Sequence, residues 1–252
     1  MKRYPIVKFK RGERESHSQS LPVEKAITIL LNEDEVVTLL ATPDRLKELA
    51  VGFLYSEGIL ANVKDLKEVF INLEKSHIQV QTDKNFSTPE FGGKSVRTSG
   101  CGKGITFSGA KQMTRLESNL KVAGGVILNL MKMLFRHGEL YRETGGVHTS
   151  ALADKKGIIS LGEDIGRHNT FDKILGECFL SQIRTEDKVL LTTGRVSSEM
   201  LIKAVRARIP VISSHTSPTN LAVELAETLG VTLIGYARAG NMRIYSHSGR
   251  IA

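Results

Sequence analysis

The residue with the clearest chemical potential is Cys101, which lies between two glycines in the stretch Arg97-Thr98-Ser99-Gly100-Cys101-Gly102-Lys103-Gly104. Glycine lets another molecule approach the neighbouring side chain closely. The nearby cations Arg97 and Lys103 favour the thiolate, which is the nucleophilic form of cysteine. An idle thiol in a surface loop fits the same composition. The other cysteine, Cys178, follows a helical run, and we expect it to be a small core residue.

The residues of the chain argue against three familiar kinds of thiol or metal chemistry. A zinc deaminase needs H-x-E with P-C-x-x-C, whereas this chain has His148-Thr149-Ser150 and no cysteine pair, so we expect no metal site. A dithiol oxidoreductase needs C-x-x-C, and the fourth position here is Gly104. A cysteine hydrolase needs a histidine fixed beside its thiol, for which a glycine-flanked loop is a poor place. What remains is a persulfide carrier, a single thiolate that receives sulfur from one partner and passes it to another.

Two loops downstream combine hydroxyl groups with a cation or an imidazole. They are Thr193-Gly194-Arg195-Val196-Ser197-Ser198 and Ser213-Ser214-His215-Thr216-Ser217-Pro218, each between an expected strand and an expected helix. Free backbone N–H groups at helix N-termini bind phosphates and other anions. For either loop alone, ordinary helix capping is the simpler interpretation. Two successive loops in a basic chain favour an anion site that contains Gly194, Arg195 and Ser197.

A third polar segment places acids, bases and an amide together as Gly162-Glu163-Asp164-Ile165-Gly166-Arg167-His168-Asn169. Its carboxylates favour the protonated form of His168 and orient Arg167. A purely structural polar network is an equally good interpretation of this turn. His148, which lies among glycines and hydroxyl residues, can face the same site.

These residues need a framework, and the hydrophobic pattern predicts an α/β protein. In the first part, hairpins are expected at residues 26–31 with 36–40 and at 68–73 with 77–82. Between them, Thr42-Pro43-Asp44 predicts the capped start of a helix that ends at Gly58. Residues 1–20 are polar and basic, which predicts a flexible arm.

From residue 125 onwards the pattern changes to alternating strands and helices. Strands are expected at residues 188–193, 211–214 and 231–236, with helices at 197–208 and 218–229. This alternation predicts βαβ units and a mainly parallel sheet, with a last edge strand near residues 242–246. We therefore predict a smaller N-terminal α+β subdomain over residues 1–110, ending in the Cys101 loop, and an α/β domain over residues 111–252.

The amino-acid composition limits the classes of partner that this chain is expected to bind. The net charge of +8 attracts polyanions such as nucleotides, nucleic acids or acidic proteins. The chain has no Trp and 6% aromatic residues, which argues against a stacking platform for single strands, and no nucleic-acid-binding motif occurs. No apolar run reaches membrane-spanning length, so we expect no membrane partner. Two cysteines in 252 residues fit a reducing cytoplasm.

With these residues in view, the chain resembles the formate dehydrogenase accessory sulfurtransferase family, FdhD, over nearly its whole length. The resemblance rests on the order and spacing of Gly100-Cys101-Gly102, Gly146-Val147-His148, Glu163-Asp164-Ile165-Gly166-Arg167-His168-Asn169, Thr193-Gly194-Arg195, Ser217-Pro218-Thr219 and Gly235-Tyr236-Ala237-Arg238. It implies a cytidine deaminase-like core, a homodimer, and transfer of sulfur from a cysteine desulfurase to the molybdenum cofactor before that cofactor enters formate dehydrogenase.

The resemblance also implies the roles of individual residues. Cys101 would carry the persulfide, and the cargo would be the bis(molybdopterin guanine dinucleotide) form of the cofactor, which guanine nucleotides could mimic. The family's cofactor-binding stretch corresponds to Tyr236, Ala237, Arg238, Ala239, Gly240 and Asn241. One departure is Gly104, because many family members carry a second cysteine there.

Three functions remain open at this stage. The first is the sulfurtransferase that works through Cys101. The second is a cofactor-binding chaperone in which Cys101 is incidental, which the glycine at position 104 leaves open. The third is a nucleic-acid-binding module, which the basic charge alone would allow.

Overall fold

The computed structural model describes residues 1–83, the backbone of residues 96–97, and residues 113–252. The described strands are β1 (Lys2–Lys10), β2 (Glu13–Leu21), β3 (Lys25–Leu31), β4 (Asp34–Ala41), β5 (Leu66–Asn72), β6 (His77–Thr82), β7 (Val96–Arg97), β8 (His148–Ala153), β9 (Ile158–Asp164), β10 (Val189–Thr192), β11 (Val211–Ser214), β12 (Thr232–Arg238) and β13 (Asn241–Ile244). The described helices are α1 (Leu46–Ser56), α2 (Gly124–His137), α3 (Glu139–Thr144), α4 (Arg167–Leu180), α5 (Ser198–Arg206) and α6 (Asn220–Leu229).

The first twenty-one residues form a two-stranded antiparallel ribbon. Strands β1 and β2 pair over their whole length, from Lys2 opposite Leu21 to Lys10 opposite Glu13. Arg11 and Gly12 close the turn with φ values of 51° and 90°, a left-handed pair that matches the twist of a tight hairpin. The prediction of a flexible arm over residues 1–20 was therefore wrong, because this turn and the continuous register give the polar sequence a regular structure. We call β1, β2 and their turn the N-terminal ribbon.

A five-stranded sheet follows, with the strand order β5-β6-β3-β4-β7. It contains both predicted hairpins, β3 with β4 and β5 with β6. Alternate residues of β3 and β6 are buried beneath α1, among them Ile27, Ile29, Ile78 and Val80. The helix ends near Gly58 as predicted, where φ is 80°. The local α+β pattern of this part is confirmed.

The predicted cap of α1 was wrong. The helix begins at Leu46, and its N-cap position is Arg45, which has a φ of 50° and no side-chain capping bond. Thr42 is used elsewhere: its N–H donates to Asp164 Oδ2 at 3.0 Å, and its carbonyl accepts from Lys173 Nζ at 3.2 Å. The Arg45 guanidinium donates to the carbonyl of Leu161 and to Glu177. Contacts with a distant part of the chain thus override the local capping signal.

The third sheet has six strands in the order β13-β12-β11-β10-β8-β9. Only β10, β11 and β12 are parallel neighbours, whereas β8, β9 and β13 join antiparallel. The expected mainly parallel sheet was therefore wrong, and the sheet is mixed; β13 lies at the edge as predicted. Helix α2 covers one face, and α4, α5 and α6 pack against the other. The cytidine deaminase-like core and the boundary at residue 110 stay predictions.

Helices α1 and α4 cross between the five-stranded and six-stranded sheets, and they approach so closely that their backbones are in contact. A Cβ atom built on Gly52 would lie 1.8 Å from the carbonyl oxygen of Asp172, and one on Gly176 would lie 1.9 Å from that of Glu48. Only glycine permits such an approach. No helix in the described ranges is long and apolar enough to cross a membrane.

Candidate functional site

Five strand ends of the six-stranded sheet meet at one edge. The parallel strands β10, β11 and β12 end there, and β8 starts there because it runs antiparallel to β10, with Ser150 opposite Thr192. Strand β9 ends there as well, since Asp164 pairs with His148. Ligands of open α/β sheets bind beyond the carboxyl ends of the parallel strands. The polar segments identified in the sequence analysis therefore lie together at this edge of the six-stranded sheet.

The two strand-to-helix loops are joined to each other by hydrogen bonds. Val196 N–H donates to Ser217 O at 3.3 Å, and Thr219 N–H donates to Val196 O at 3.0 Å. Ser214 Oγ donates to Gly194 O at 2.7 Å. The residues after β10 and those after β11 thus form one continuous surface.

The start of α5 follows the capping interpretation. The side chain of Ser197 accepts from Met200 N–H at 3.5 Å, and Thr219 caps α6 in the same way through Ala222 N–H. Ser197 does more than cap the helix, because its Oγ also lies 3.2 Å from His168 Nε2. The hydroxyl therefore joins the helix terminus to an imidazole of the site.

Gly194 lies where His148 and Arg167 come together. A Cβ atom at this position would meet Arg167 Cβ at 3.1 Å and His148 Nδ1 at 3.3 Å. The glycine lets the loop pass closely over both side chains. We refer to His148, Arg167, His168, Gly194 and Ser197 as the central cluster.

His148 is held in its neutral form. Burial lowers its pKa below the ordinary value of 6.5, and the positive charge of Arg167 lowers it further; Asp164 acts in the opposite direction, and Arg195 adds a smaller lowering effect. The imidazole is thus a neutral hydrogen-bonding group within a cationic setting at neutral pH. An anionic ligand at this place would favour its protonation.

His168 sits at the start of α4 with a carboxylate nearby. Its Nε2 lies 3.5 Å from Glu199 Oε2, and the two side chains are 15% and 19% exposed. Glu199 stands in the first turn of α5, where the helix N-terminus also stabilises a negative charge. The Ser197 hydroxyl and the Glu199 carboxylate therefore both lie within hydrogen-bonding range of His168 Nε2.

Asp164 and Asn169, which belong to the same polar segment as His168, have a structural role. Asp164 Oδ1 accepts from Gly166 N–H at 2.9 Å and from Asn169 Nδ2 at 2.8 Å. Its Oδ2 lies 2.9 Å from Lys173 Nζ, and neither side chain has any solvent exposure. For Asp164 and Asn169 the structural interpretation is thus confirmed, whereas Arg167 and His168 face the site.

The predicted stretch at residues 236–241 forms the end of β12 and the turn into β13. The strand bulges here, and the backbone is left-handed at Tyr236, Ala239 and Gly240, with φ values of 52°, 50° and 79°. Tyr236 N–H donates to Thr216 O at 3.0 Å, which ties the stretch to the β11 loop. Arg238, Ala239, Gly240 and Asn241 are exposed, but Ala237 is buried in the core, so only its backbone could face a ligand.

Two residues of this surface were missed by the sequence analysis. Arg243 lies on β13 with its guanidinium 4.4 Å from the centre of the Tyr236 ring, a cation–π contact. Phe135 on α2 packs edge-on against His215 at 4.8 Å. Burial and the charge of Arg238 lower the pKa of His215. A β-hairpin register would have suggested Arg243, whereas nothing local marks Phe135.

The predicted thiol, Cys101, lies outside the described residues, as do Lys103 and Gly104. Of Arg97 only the backbone is described, in β7, which runs parallel to β4 with Arg97 opposite Leu39. Cys178 is buried in the core as expected, and burial raises the pKa of its thiol to about 12. Within residues 1–83 and 113–252, no three His, Cys, Asp or Glu side chains are grouped so that they could hold a metal ion.

The comparisons with known proteins agree on one family. The sequence model of the FdhD/NarQ family matches residues 22–252. A Bacillus subtilis (strain 168) protein named "Sulfur carrier protein FdhD" is 34% identical, covering 98% of this chain and 95% of its own. One of the same name from Staphylococcus aureus (strain MRSA252) is 37% identical, with 98% and 95% covered. A crystal structure of a formate dehydrogenase accessory protein from Desulfotalea psychrophila has the same fold, with a TM-score of 0.83, 24% identity, and 99% and 98% covered.

Proposed function

The chain belongs to the FdhD/NarQ family, and from this premise we propose that it is a sulfur carrier for the molybdenum cofactor. In this proposal Cys101 receives sulfur from a cysteine desulfurase and transfers it to bis(molybdopterin guanine dinucleotide) before that cofactor enters formate dehydrogenase. The protein would act as a homodimer in the cytoplasm, where thiols stay reduced.

The observation that carries the proposal is the cationic edge of the six-stranded sheet. Arg167 and Arg195 flank His148, and Arg238 and Arg243 flank the ring of Tyr236. Helices α5 and α6 begin in the two joined loops at this edge. Guanidinium groups and helix N-termini are the groups that bind pyrophosphate.

The residues present fit a dinucleotide with two negatively charged halves. Gly194, Arg195 and Ser197 would hold one phosphate group at the start of α5, and residues 236–241 would hold a guanine end beside the Tyr236 ring. The close approach of Gly194 to Arg167 and His148 supports this placement, because it keeps the loop within reach of both side chains. The molybdenum centre would supply the acceptor for the sulfur. The chain would bind and orient the dinucleotide cofactor that holds this centre.

The position of β7 supports a short path between Cys101 and this edge. Arg97 pairs with Leu39, three residues before Thr42, whose N–H donates to Asp164 in the turn that bears Arg167 and His168. Strands β7 and β4 are parallel, so both lead toward that turn. Three residues lie between Arg97 and Cys101, so their Cα atoms are four residue steps apart and at most about 14 Å from each other.

The loading step is an exchange without net oxidation. The Cys101 thiolate attacks the outer sulfur of the desulfurase persulfide, a new S–S bond forms, and the donor's S–S bond breaks. The donor cysteine leaves as a thiolate, and Cys101 then carries the terminal sulfur with its negative charge or proton. One cysteine is sufficient for this step, which is compatible with Gly104.

The test is labelled-sulfur transfer with two matched cysteine variants. Wild-type protein incubated with a purified cysteine desulfurase and ³⁵S-cysteine should gain one sulfur atom, mapped by mass spectrometry to the Cys101 peptide. Cys101→Ala should gain none, whereas Cys178→Ala should load normally because that thiol is buried. Label on the Cys101→Ala protein would contradict the proposal.

The alternative is a cofactor-binding chaperone without sulfur transfer, which the glycine at position 104 leaves open. It predicts that Cys101→Ala still restores formate dehydrogenase activity in a complementation assay. Loss of that activity, together with retained binding of guanine nucleotide, would exclude the chaperone.

A further inference from the structure

An ion pair lies buried between α4 and α5, one helical turn away from the central cluster. Lys203 Nζ donates to both carboxylate oxygens of Asp172 at 2.7 Å, and the two residues are 4% and 1% exposed. Neither belongs to the candidate site described above. Removing two charges from water is costly, and apolar side chains of similar volume are often equally stable in their place. The pair therefore calls for a role other than stability.

The spacing along both helices connects this pair to the site. Asp172 lies four residues after His168 on α4, and Lys203 lies four residues after Glu199 on α5. Residues four apart in a helix lie on the same face, one turn from each other. Two contacts therefore follow one another between the helices. We call His168 with Glu199 the site pair, and Asp172 with Lys203 the buried pair.

The contacts of the site pair depend on how α5 is placed against α4. His168 Nε2 lies 3.2 Å from Ser197 Oγ and 3.5 Å from Glu199 Oε2, and both of these partners come from the start of α5. These distances are near the upper limit for hydrogen bonds, so a shift of α5 by about 1 Å would separate the groups. The geometry at His168 thus needs a fixed contact between the two helices.

The end of α1 holds the buried pair from a third side. Ser56 Oγ donates to Asp172 Oδ1 at 2.7 Å. Glu57 Oε1 lies 3.6 Å from Lys203 Nζ. The backbone of Asp172 is fixed at the same place, because its carbonyl oxygen faces Gly52 where α1 and α4 cross. The buried pair therefore connects α5 to the most closely packed point of the described structure.

We propose that Asp172 and Lys203 are positioning residues, whose ion pair holds the start of α5 against the start of α4. The pair thereby sets the distance of His168 from Ser197 and Glu199 and so the shape of the central cluster. Both residues are too deeply buried to touch a ligand themselves. The inference rests on the proposed function for its ligand, a guanine dinucleotide, but its first test needs no ligand.

The test variant removes both charges of the buried pair at once. Asp172→Asn keeps the oxygen that accepts from Ser56, and Lys203→Met keeps nearly the same volume. Glu57 retains the neighbouring cation Arg206. The double variant leaves no carboxylate at position 172 without its cation, so urea denaturation should give a stability close to that of the wild-type protein. Asp172→Asn alone, in which Lys203 keeps Glu57, is a milder second variant.

The first measurement is the NMR spectrum of the His168 ring, whose signals are assigned by their absence in His168→Ala. The double variant should shift these signals, because the partners of Nε2 are no longer held in place, and Asp172→Asn alone should shift them less. The matched control is Arg45→Met/Glu177→Gln, which neutralises an ion pair nine residues further along α4 and should leave them in place. Unchanged His168 signals in both variants of the buried pair overturn the proposal.

The second measurement is the affinity for guanosine diphosphate, arranged as a double-mutant cycle. Loss of the buried pair should weaken binding roughly tenfold when His168 is present, and less than about threefold in the His168→Ala background, where no imidazole is left to position. A purely structural role would give the same factor in both backgrounds and would overturn the proposal. A wild-type protein that does not bind this nucleotide contradicts the cofactor site of the proposed function, and the ring signals then decide the positioning role alone.

Discussion

Residues 164–169, where β9 leads into α4, contain two groups of charged side chains with opposite surroundings, one buried and one facing the candidate site. Asp164 is fully buried and is paired with Lys173, with hydrogen bonds from Asn169 and Gly166. Arg167 and His168, only a few residues later, are half-buried and belong to the central cluster with His148. One half of the turn fixes its position, and the other half presents groups to a ligand.

The comparison shows how one local motif can serve two purposes. Buried charges must be compensated inside the protein, and Lys173 accordingly also donates to the carbonyls of Thr42 and Glu163. Charges in the central cluster can instead be compensated by an anionic ligand. The structural half therefore positions the ligand-facing half, and substitutions in the two should have different consequences.

The largest effect is expected from the structural half. Lys173→Met removes the cation and leaves the Asp164 carboxylate buried without its partner, which should lower the free energy of unfolding by about 3–5 kcal/mol. Urea denaturation measures the loss. The matched control is Lys67→Met, because Lys67 and Asp83 form an exposed pair worth less than about 1 kcal/mol. Equal losses in the two variants would remove the distinction between the halves.

An intermediate effect is expected at the cationic surface beside the central cluster. Arg195→Ala should weaken binding of guanosine diphosphate by roughly 10- to 150-fold, as for a lost charged hydrogen bond of about 1.5–3 kcal/mol. The free energy of unfolding should stay nearly unchanged, because Arg195 is exposed. Arg184→Ala, on a side chain that is 80% exposed, is the control for the loss of one positive charge. Isothermal titration calorimetry that finds the same affinity for both variants would show that Arg195 does not contact the nucleotide.

The smallest effect is a shift in the titration of His148. Its pKa is lowered by burial first and by Arg167 next, is raised by Asp164, and is lowered to a smaller extent by Arg195, so the NMR midpoint of its ring protons should lie below 6.5. Arg195→Ala should move that midpoint upward. Because the folded-state pKa is the lower one, the stability from this group is complete above pH 6.5 and declines as the pH falls through the folded-state pKa. A midpoint at or above 6.5 in the wild-type protein would place His148 outside the cationic setting.

Much of the secondary structure was predictable because its signals are local. Alternating apolar residues gave both hairpins of the five-stranded sheet, and the βαβ pattern gave β10, β11 and β12 with their helices. The cap of α1 was not predictable, because Thr42 is engaged by Asp164, 122 residues away. The mixed sheet was missed for a similar reason, since the direction of β8 depends on its pairing and not on its own sequence.

The candidate site was predictable where its residues lie in loops at strand ends. Gly194, Arg195, Ser197 and His148 are brought to one edge, as the topology of a sheet with parallel strands requires. Phe135 and Arg243 come from elements with no chemical motif, and only packing places them there. Cys101 lies outside the described residues, so its role stays a prediction that the labelling experiment tests.

The crossing of α1 and α4 has a consequence for how the sequence can vary. An added Cβ at Gly52 or at Gly176 would collide with a carbonyl of the other helix's backbone, not with a side chain. A second substitution that shortens a neighbouring residue therefore cannot relieve the collision. We expect both positions to tolerate no other amino acid, alone or in combination, whereas Gly125 on α2, with open space around it, should accept alanine freely.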